Sequence, residues 1–181
     1  MNRLREWVPL LVLLLPGLVF AQPAPTDIQG HWAEGRIREL VARRIVETFP
    51  NGSFRPQEAL SRARFVAWLV AVKDIPLVRV DTPSFPDVPP SFPLAAHIET
   101  AQAYGILPPL SQFRPTDSLT RLDAIDYTVR ALGYTFESAY MGNAALPFED
   151  LNTLSPIMRG VVGVAALSSP PLLREPPSVR L

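Results

Sequence analysis

Two arginines, Arg62 and Arg121, close the same short phrase, FRPQEALSR over residues 54–62 and FRPTDSLTR over residues 113–121. Each follows a hydroxyl residue, Ser61 or Thr120, that reads as the N-cap of a helix. A helix start already presents positive potential and unpaired backbone N–H groups, so a cation there is unfavourable by a few tenths of a kcal/mol, up to about 1. Its recurrence asks for a reason. One is a ligand: the amides and a two-pronged guanidinium together would hold a carboxylate or phosphate. The other is a structural ion pair, with Glu58 or Asp117 just upstream as the nearest acids.

Other reactive constellations are missing. There is no GxSxG, GxxxxGK[ST], HExxH or glycine-rich dinucleotide loop. The absence of cysteine removes disulfides, thiolate metal sites, a cysteine nucleophile and a lipid-modified cysteine. His31 and His97 have no ligand-like partners at metal-site spacing. Glu149 with Asp150, or Asp123 with Asp126, would supply a glycosidase acid and base, yet nothing sets two carboxylates across a cleft, and helix-entry or surface charge is the plainer reading. No enzyme activity, cofactor or metal is expected. With 17 basic and 17 acidic residues the chain is formally neutral, which argues against a nucleic-acid partner. Lys73 is its only lysine, a bias that suits planar pairing with carboxylates.

The elements that must position these arginines are helices. Residues 1–21 read as a secretory signal peptide, with Arg3 and Arg5 ahead of an apolar run from Val8 to Phe20 and cleavage after Ala21, so no membrane span is expected in the mature chain. Extending outward from the shared phrase, Asp27 matches Asp87, Trp32 matches Phe92, Ile37 matches Ile98 and Ile45 matches Ile106. The first copy, residues 22–74, offers WAEGRIRELVARR with Trp32, Ile37, Leu40 and Val41 on one side. SRARFVAWLVAV follows, with Phe65, Leu69 and Val72 as its stripe and Val66, Trp68 and Val70 widening it. The second copy, residues 85–133, offers PLAAHIETAQAY, with Pro93 suited to a first turn, and TRLDAIDYTVRAL, with Gly133 as its stop. Thr120 and Asp123 resemble a capping box. Pro56 and Pro115 bias Arg55 and Arg114 toward extended backbone, so each F-R-P should be an extended bridge with its phenylalanine plugged into a core. A truncated third copy spans 148–168, linkers fall near 75–84 and 134–147, and a proline-rich tail at 169–181 should be extended or disordered.

The order of these signatures, Asp27 and Trp32-Ala33, then P-N-G-S-F-R-P and L-S-R, repeated as Asp87, F-R-P and L-T-R, resembles the S-layer homology family of cell-wall-binding modules. The resemblance covers most of residues 27–133 and, weakly, 148–167. It implies an all-α fold of tandem helix pairs joined by short extended links and packed about a pseudo-threefold axis. It also implies an exported, wall-associated chain whose grooves hold an acidic, often pyruvylated, secondary cell-wall polysaccharide. Carried over, the polysaccharide contacts fall at Arg62 and Arg121, with Ser61, Thr120, Trp32 and Gly105 beside them. Trp32 is either a sugar-stacking platform or, as its place in the apolar stripe favours, a core residue. Arg44 stands where the second copy has Gly105, and Arg64 where it has Asp123, which weakens the first groove. The truncated third copy suggests self-association that completes it. Two other functions fit the same residues: a secreted scaffold whose proline-rich tail docks a partner, and a wall hydrolase.

Overall fold

Local capping chemistry sets where the helices begin. The computed structural model describes residues 24–79, 81–146, 148 and 150–173, so the leader at 1–21 and the end of the tail lie outside the described residues. Among the described residues there are six α-helices: α1 Glu34–Ala42, α2 Arg62–Val72, α3 Ala95–Ala103, α4 Arg121–Ala131, α5 Thr135–Tyr140 and α6 Pro156–Leu167, with a 3₁₀ turn at Leu151–Thr153. Among the described residues there is no strand, only an isolated bridge between Ser61 and Ser118. The class is all-α, as expected. The three best-formed starts share one device: Ser61, Thr120 and Ser155, each extended, accept the N–H of Arg64, Asp123 and Met158 respectively. Pro93 is not in the first turn, since Leu94 is the N-cap residue of α3.

Packing divides the chain into Met1–Phe54 and Arg55–Leu181, a division that runs through the first repeat. In the first unit Ile28, Ile37, Val41, Ile45 and Val46 are buried, and the Asp27 carboxylate accepts the Phe54 N–H at 2.8 Å. Trp32 departs from expectation. It precedes the first helical turn and is 92% exposed, because the 3.6-residue stripe has no meaning upstream of Glu34.

In the second unit the second helix of one repeat packs on the first helix of the next, α2 on α3 and α4 on α6. The α2–α3 core contains Ala63, Val66, Val70, Phe85, Ile98, Ala101 and Phe113, and the α4–α6 core contains Ile125, Val129, Val161, Val164 and Ala165. The buried face of α2 is therefore Arg62, Ala63, Val66, Ala67 and Val70, rotated from the expected stripe and leaving Val72 exposed. The linker before the second repeat is tied to α3, since Val78 N–H donates to Thr100 Oγ1 at 2.9 Å and Ser84 N–H to Glu99 at 2.8 Å. The 134–147 linker contains α5, which no periodicity announced. The tail also differs from expectation where it is described: Leu172 and Leu173 N–H groups turn back onto the Ala165 carbonyl at the end of α6.

The stops of α1, α2, α3 and α4 are equally regular. Each is followed by a residue of positive φ, Arg44 at 57°, Asp74 at 52°, Gly105 at 69° and Gly133 at 83°. The next N–H then reaches back: Ile45 to Leu40 O, Ile75 to Val70 O, Ile106 to Ala101 O and Tyr134 to Val129 O, the Schellman closure. Arg44 thus takes the conformation that Gly105 takes, at the steric cost a Cβ brings to left-handed backbone. Arg44→Gly is expected to stabilise the chain by about 0.5–1 kcal/mol, read as a raised urea midpoint at unchanged m-value.

The F-R-P bridges are not extended at their arginines. Arg55 and Arg114 have φ of 57° and 55°, against the bias that proline imposes. At the second copy the cause is visible: Asp87 accepts the N–H of Phe113 at 3.0 Å and of Arg114 at 2.6 Å, which requires the chain to curl around one carboxylate. Burial pushes the Asp87 pKa up, but those N–H groups outweigh it and hold the group below its usual value. The curl seats Phe113, which is fully buried against Phe85 with ring centroids 5.6 Å apart.

Candidate functional site

The two arginines of the repeated phrase end in opposite environments. Arg62 is 4% exposed. Its Nε donates to the Phe113 carbonyl at 2.8 Å, one terminal nitrogen to Asp123 Oδ2 at 2.6 Å, and the other to the Tyr127 hydroxyl. The guanidinium carbon also lies 5.4 Å from the Phe113 ring centroid and 5.5 Å from that of Tyr127, within cation–π range of both rings. Burial pushes the Tyr127 phenol up to about 12, so it stays protonated and accepts from the guanidinium.

Arg62 is therefore the structural ion pair of the two readings, but its partner is Asp123 in the next repeat rather than Glu58 or Asp117. Those upstream acids serve elsewhere: Glu58 pairs with Arg55 at 3.1 Å and Asp117 with Arg114 at 3.9 Å. The backbone follows the side chain. Arg62 N–H donates to Asp117 O at 3.0 Å, Ala63 N–H to Pro115 O at 3.1 Å, and Leu119 N–H to Leu60 O at 2.7 Å. The amides at the start of α2 are thus satisfied by the second copy of the phrase, which uses the positive helix end internally.

Asp123 organises this junction. Besides accepting from Arg62, its Oδ2 accepts the Thr120 hydroxyl at 2.8 Å, while its N–H donates to Thr120 Oγ1 at 3.1 Å. Half of the expected capping box is formed, the amide to the hydroxyl, and the carboxylate turns to Arg62 and the hydroxyl instead of to the cap N–H. The structure thus joins Arg62 and Thr120 through Asp123, with Ser61 in the facing bridge. A neighbouring acid, Asp126, is 5% exposed and bonds Arg130 at 2.8 Å. Its burial raises its pKa, with Arg130 pulling the other way.

Arg121 lies elsewhere. It is half-buried and lines a cleft of about 440 Å³ with Phe65, Ala124, Ile125, Thr128, Leu172 and Leu173. One cation in a mostly apolar cleft is the combination that orients a ligand bearing an anionic group and an apolar face. Sequence reasoning found Arg121 through its recurrence and missed the walls, because Phe65 and Leu172–Leu173 come from a helix and a tail far away in sequence. It also missed Asp123 and Tyr127 as partners of Arg62. Trp32 is exposed in the first unit, its ring 5.5 Å from that of His31, and Gly105 is the left-handed stop of α3. Among the described residues no cluster of His, Asp or Glu is suited to a metal, and no helix is long and apolar enough to cross a membrane.

Capped helices ending in left-handed stops, with one repeat's arginine locked by the next repeat's acid, define a tandem helical-repeat module. Residues 26–63 match the S-layer homology domain. The chain is 31% identical over 143 residues to an amylopullulanase of Thermoanaerobacterium thermosulfurigenes, covering 77% of this chain and 8% of that protein. It is 27% identical over 124 residues to the S-layer protein EA1 of Bacillus anthracis, covering 67% and 14%. With the cellulosome-anchoring protein of Acetivibrio thermocellus it shares 46% identity over 41 residues, 23% of this chain and 9% of that one. The chain belongs to the S-layer homology family, whose domains anchor proteins to the cell wall and so imply a place at the cell surface. It spans only a small part of the length of these relatives.

Proposed function

We propose that the chain is a non-catalytic wall-attachment protein that holds an acidic secondary cell-wall polysaccharide, with Arg121 as the cation that pairs with the sugar's carboxylate. The observation that carries this is the cleft itself. Arg121 lines it beside Phe65, Ile125, Leu172 and Leu173, and such apolar walls would strengthen a two-pronged pair with a carboxylate. A pyruvate ketal, with a carboxylate and a methyl group on one carbon, matches a site of one guanidinium beside Ile125 and Leu173. Trp32, exposed on the first unit, is a further stacking surface. A relative named for cellulosome anchoring supports attachment as the purpose of such repeats.

The test is co-sedimentation of the chain with purified cell wall, before and after removal of the wall's acidic polymer. Arg121→Ala is expected to weaken binding tenfold or more with thermal stability little changed. Binding that survives both the variant and the removal of the acidic polymer would sink the reading.

A further inference from the structure

Helix α5 has no counterpart in either full repeat. Its six residues are too few to be stable alone, since isolated helices shorter than roughly 12 residues are marginal in water. It is held by α6, whose Gly160 lets the Ser138 carbonyl approach to where a Cβ would stand. Ser138 is buried against that surface. A helix turns about 100° per residue, so Phe136 and Tyr140 fall on the side opposite Ser138. There they are 71% and 72% exposed, with ring centroids 5.1 Å apart. On the flank of α5, Tyr134, Glu137 and Met141 line an open cleft of about 300 Å³ together with Val164, Leu167 and Ser169; the two rings lie outside its lining. None of its lining residues is shared with the Arg121 cleft.

Leaving two large rings in water forgoes about 1.5–3 kcal/mol of burial each, so their exposure calls for an occupant. A protein partner is poorly matched, because a stable interface takes roughly 800 Å² per side and α5 is one and a half turns long. An acidic ligand is disfavoured too: Glu137 is the one charged side chain lining the cleft, and α5, TFESAY, has no basic residue. A pyranose fits both features, with an apolar C–H face for an aromatic ring and hydroxyls that donate to a carboxylate.

We propose that α5 carries a binding site for an uncharged pyranose glycan, with Phe136 and Tyr140 as its stacking platform and Glu137 and Tyr134 as its hydrogen-bonding rim. This site is separate from Arg121 and does not depend on it. The test is calorimetric titration of the full chain with chitotetraose, cellotetraose and tetragalacturonate, together with sedimentation velocity. The wild type is expected to bind at least one of the two uncharged tetrasaccharides more tightly than tetragalacturonate. Phe136→Ala/Tyr140→Ala should weaken that binding tenfold or more at unchanged melting temperature, since both rings are exposed, and Arg121→Ala should leave it unchanged. The proposal is overturned by absence of binding to both uncharged sugars, or by equal affinity in the double variant. Preference for tetragalacturonate, or a wild-type dimer that the double variant dissolves, also overturns it. Loss of wall binding in Arg121→Ala is read in a different assay, so the two readings fail separately.

Discussion

Arg62→Ala is expected to lower the unfolding free energy by about 3 kcal/mol or more, the range found when one partner of a buried ion pair is removed. Three groups lose their donor at once: the Asp123 carboxylate, the Phe113 carbonyl and the Tyr127 hydroxyl. Asp123 keeps 30% of its side chain in solvent, so water recovers part of its loss and the effect should sit near the lower end of that range. The carbonyl of Phe113 has no such relief in a fully buried residue. Asp123→Asn, which keeps an acceptor but removes the charge, should cost about 1.5–3 kcal/mol, and Tyr127→Phe about 1 kcal/mol. A double-mutant cycle between Arg62 and Asp123 should return a coupling of about 1–3 kcal/mol. Urea unfolding measures all of these. If Arg62→Ala is neutral in stability yet abolishes wall binding, Arg62 is a ligand contact and the interior role given to it here is wrong.

The expected loss reaches beyond one residue, because the Arg62 contacts join the F-R-P phrase of the second repeat to the start of α2 in the first. The identical words in the two repeats are two halves of one junction. Backbone bonds from Arg62, Ala63 and Leu119 make the same connection. In Arg62→Ala, hydrogen exchange at those three amides should therefore accelerate together.

What the sequence disclosed follows the range of the interactions involved. Starts at Ser61 and Thr120 were legible because a cap bonds three residues ahead, and Gly133 was legible because only glycine adopts left-handed backbone without cost. Arg44 and Asp74 make the same stop without the residue that announces it. Arg114 was misread by a local rule, since proline disfavours what the Asp87 carboxylate, far back in the chain, enforces. Arg62 was singled out correctly as an arginine that helix stability does not choose, but its partner lies in the other repeat, beyond any cap or i,i+4 pairing. Trp32 shows the reverse error, a periodicity continued past the first helical turn. Repeat boundaries and packing units also differ, because the cores form between the second helix of one copy and the first helix of the next.

Gly160→Ala is the second large effect expected, and it acts through a contact no motif reveals. An added Cβ would lie 1.8 Å from the Ser138 carbonyl oxygen and 2.8 Å from its carbon, so backbone rather than a pliable side chain must move. Ordinary overpacking costs about 1–3 kcal/mol, and this substitution should reach or pass that upper end unless α5 leaves its seat. A six-residue helix that leaves cannot persist. The expected result is thus a lowered melting temperature with rapid hydrogen exchange across Thr135–Tyr140, while α2 and α3 keep their protection. Gly163→Ala, whose Cβ meets Met141 at 3.0 Å, should cost less. Gly35→Ala, with nothing within 4 Å, should instead gain up to about 1 kcal/mol from helix propensity alone. Because Phe136 and Tyr140 ride on α5, Gly160→Ala should also lose affinity for uncharged tetrasaccharides while the wall binding proposed for Arg121 is kept. Retention of both stability and protection in Gly160→Ala would mean that α5 and α6 are not in the close contact on which the aromatic platform depends.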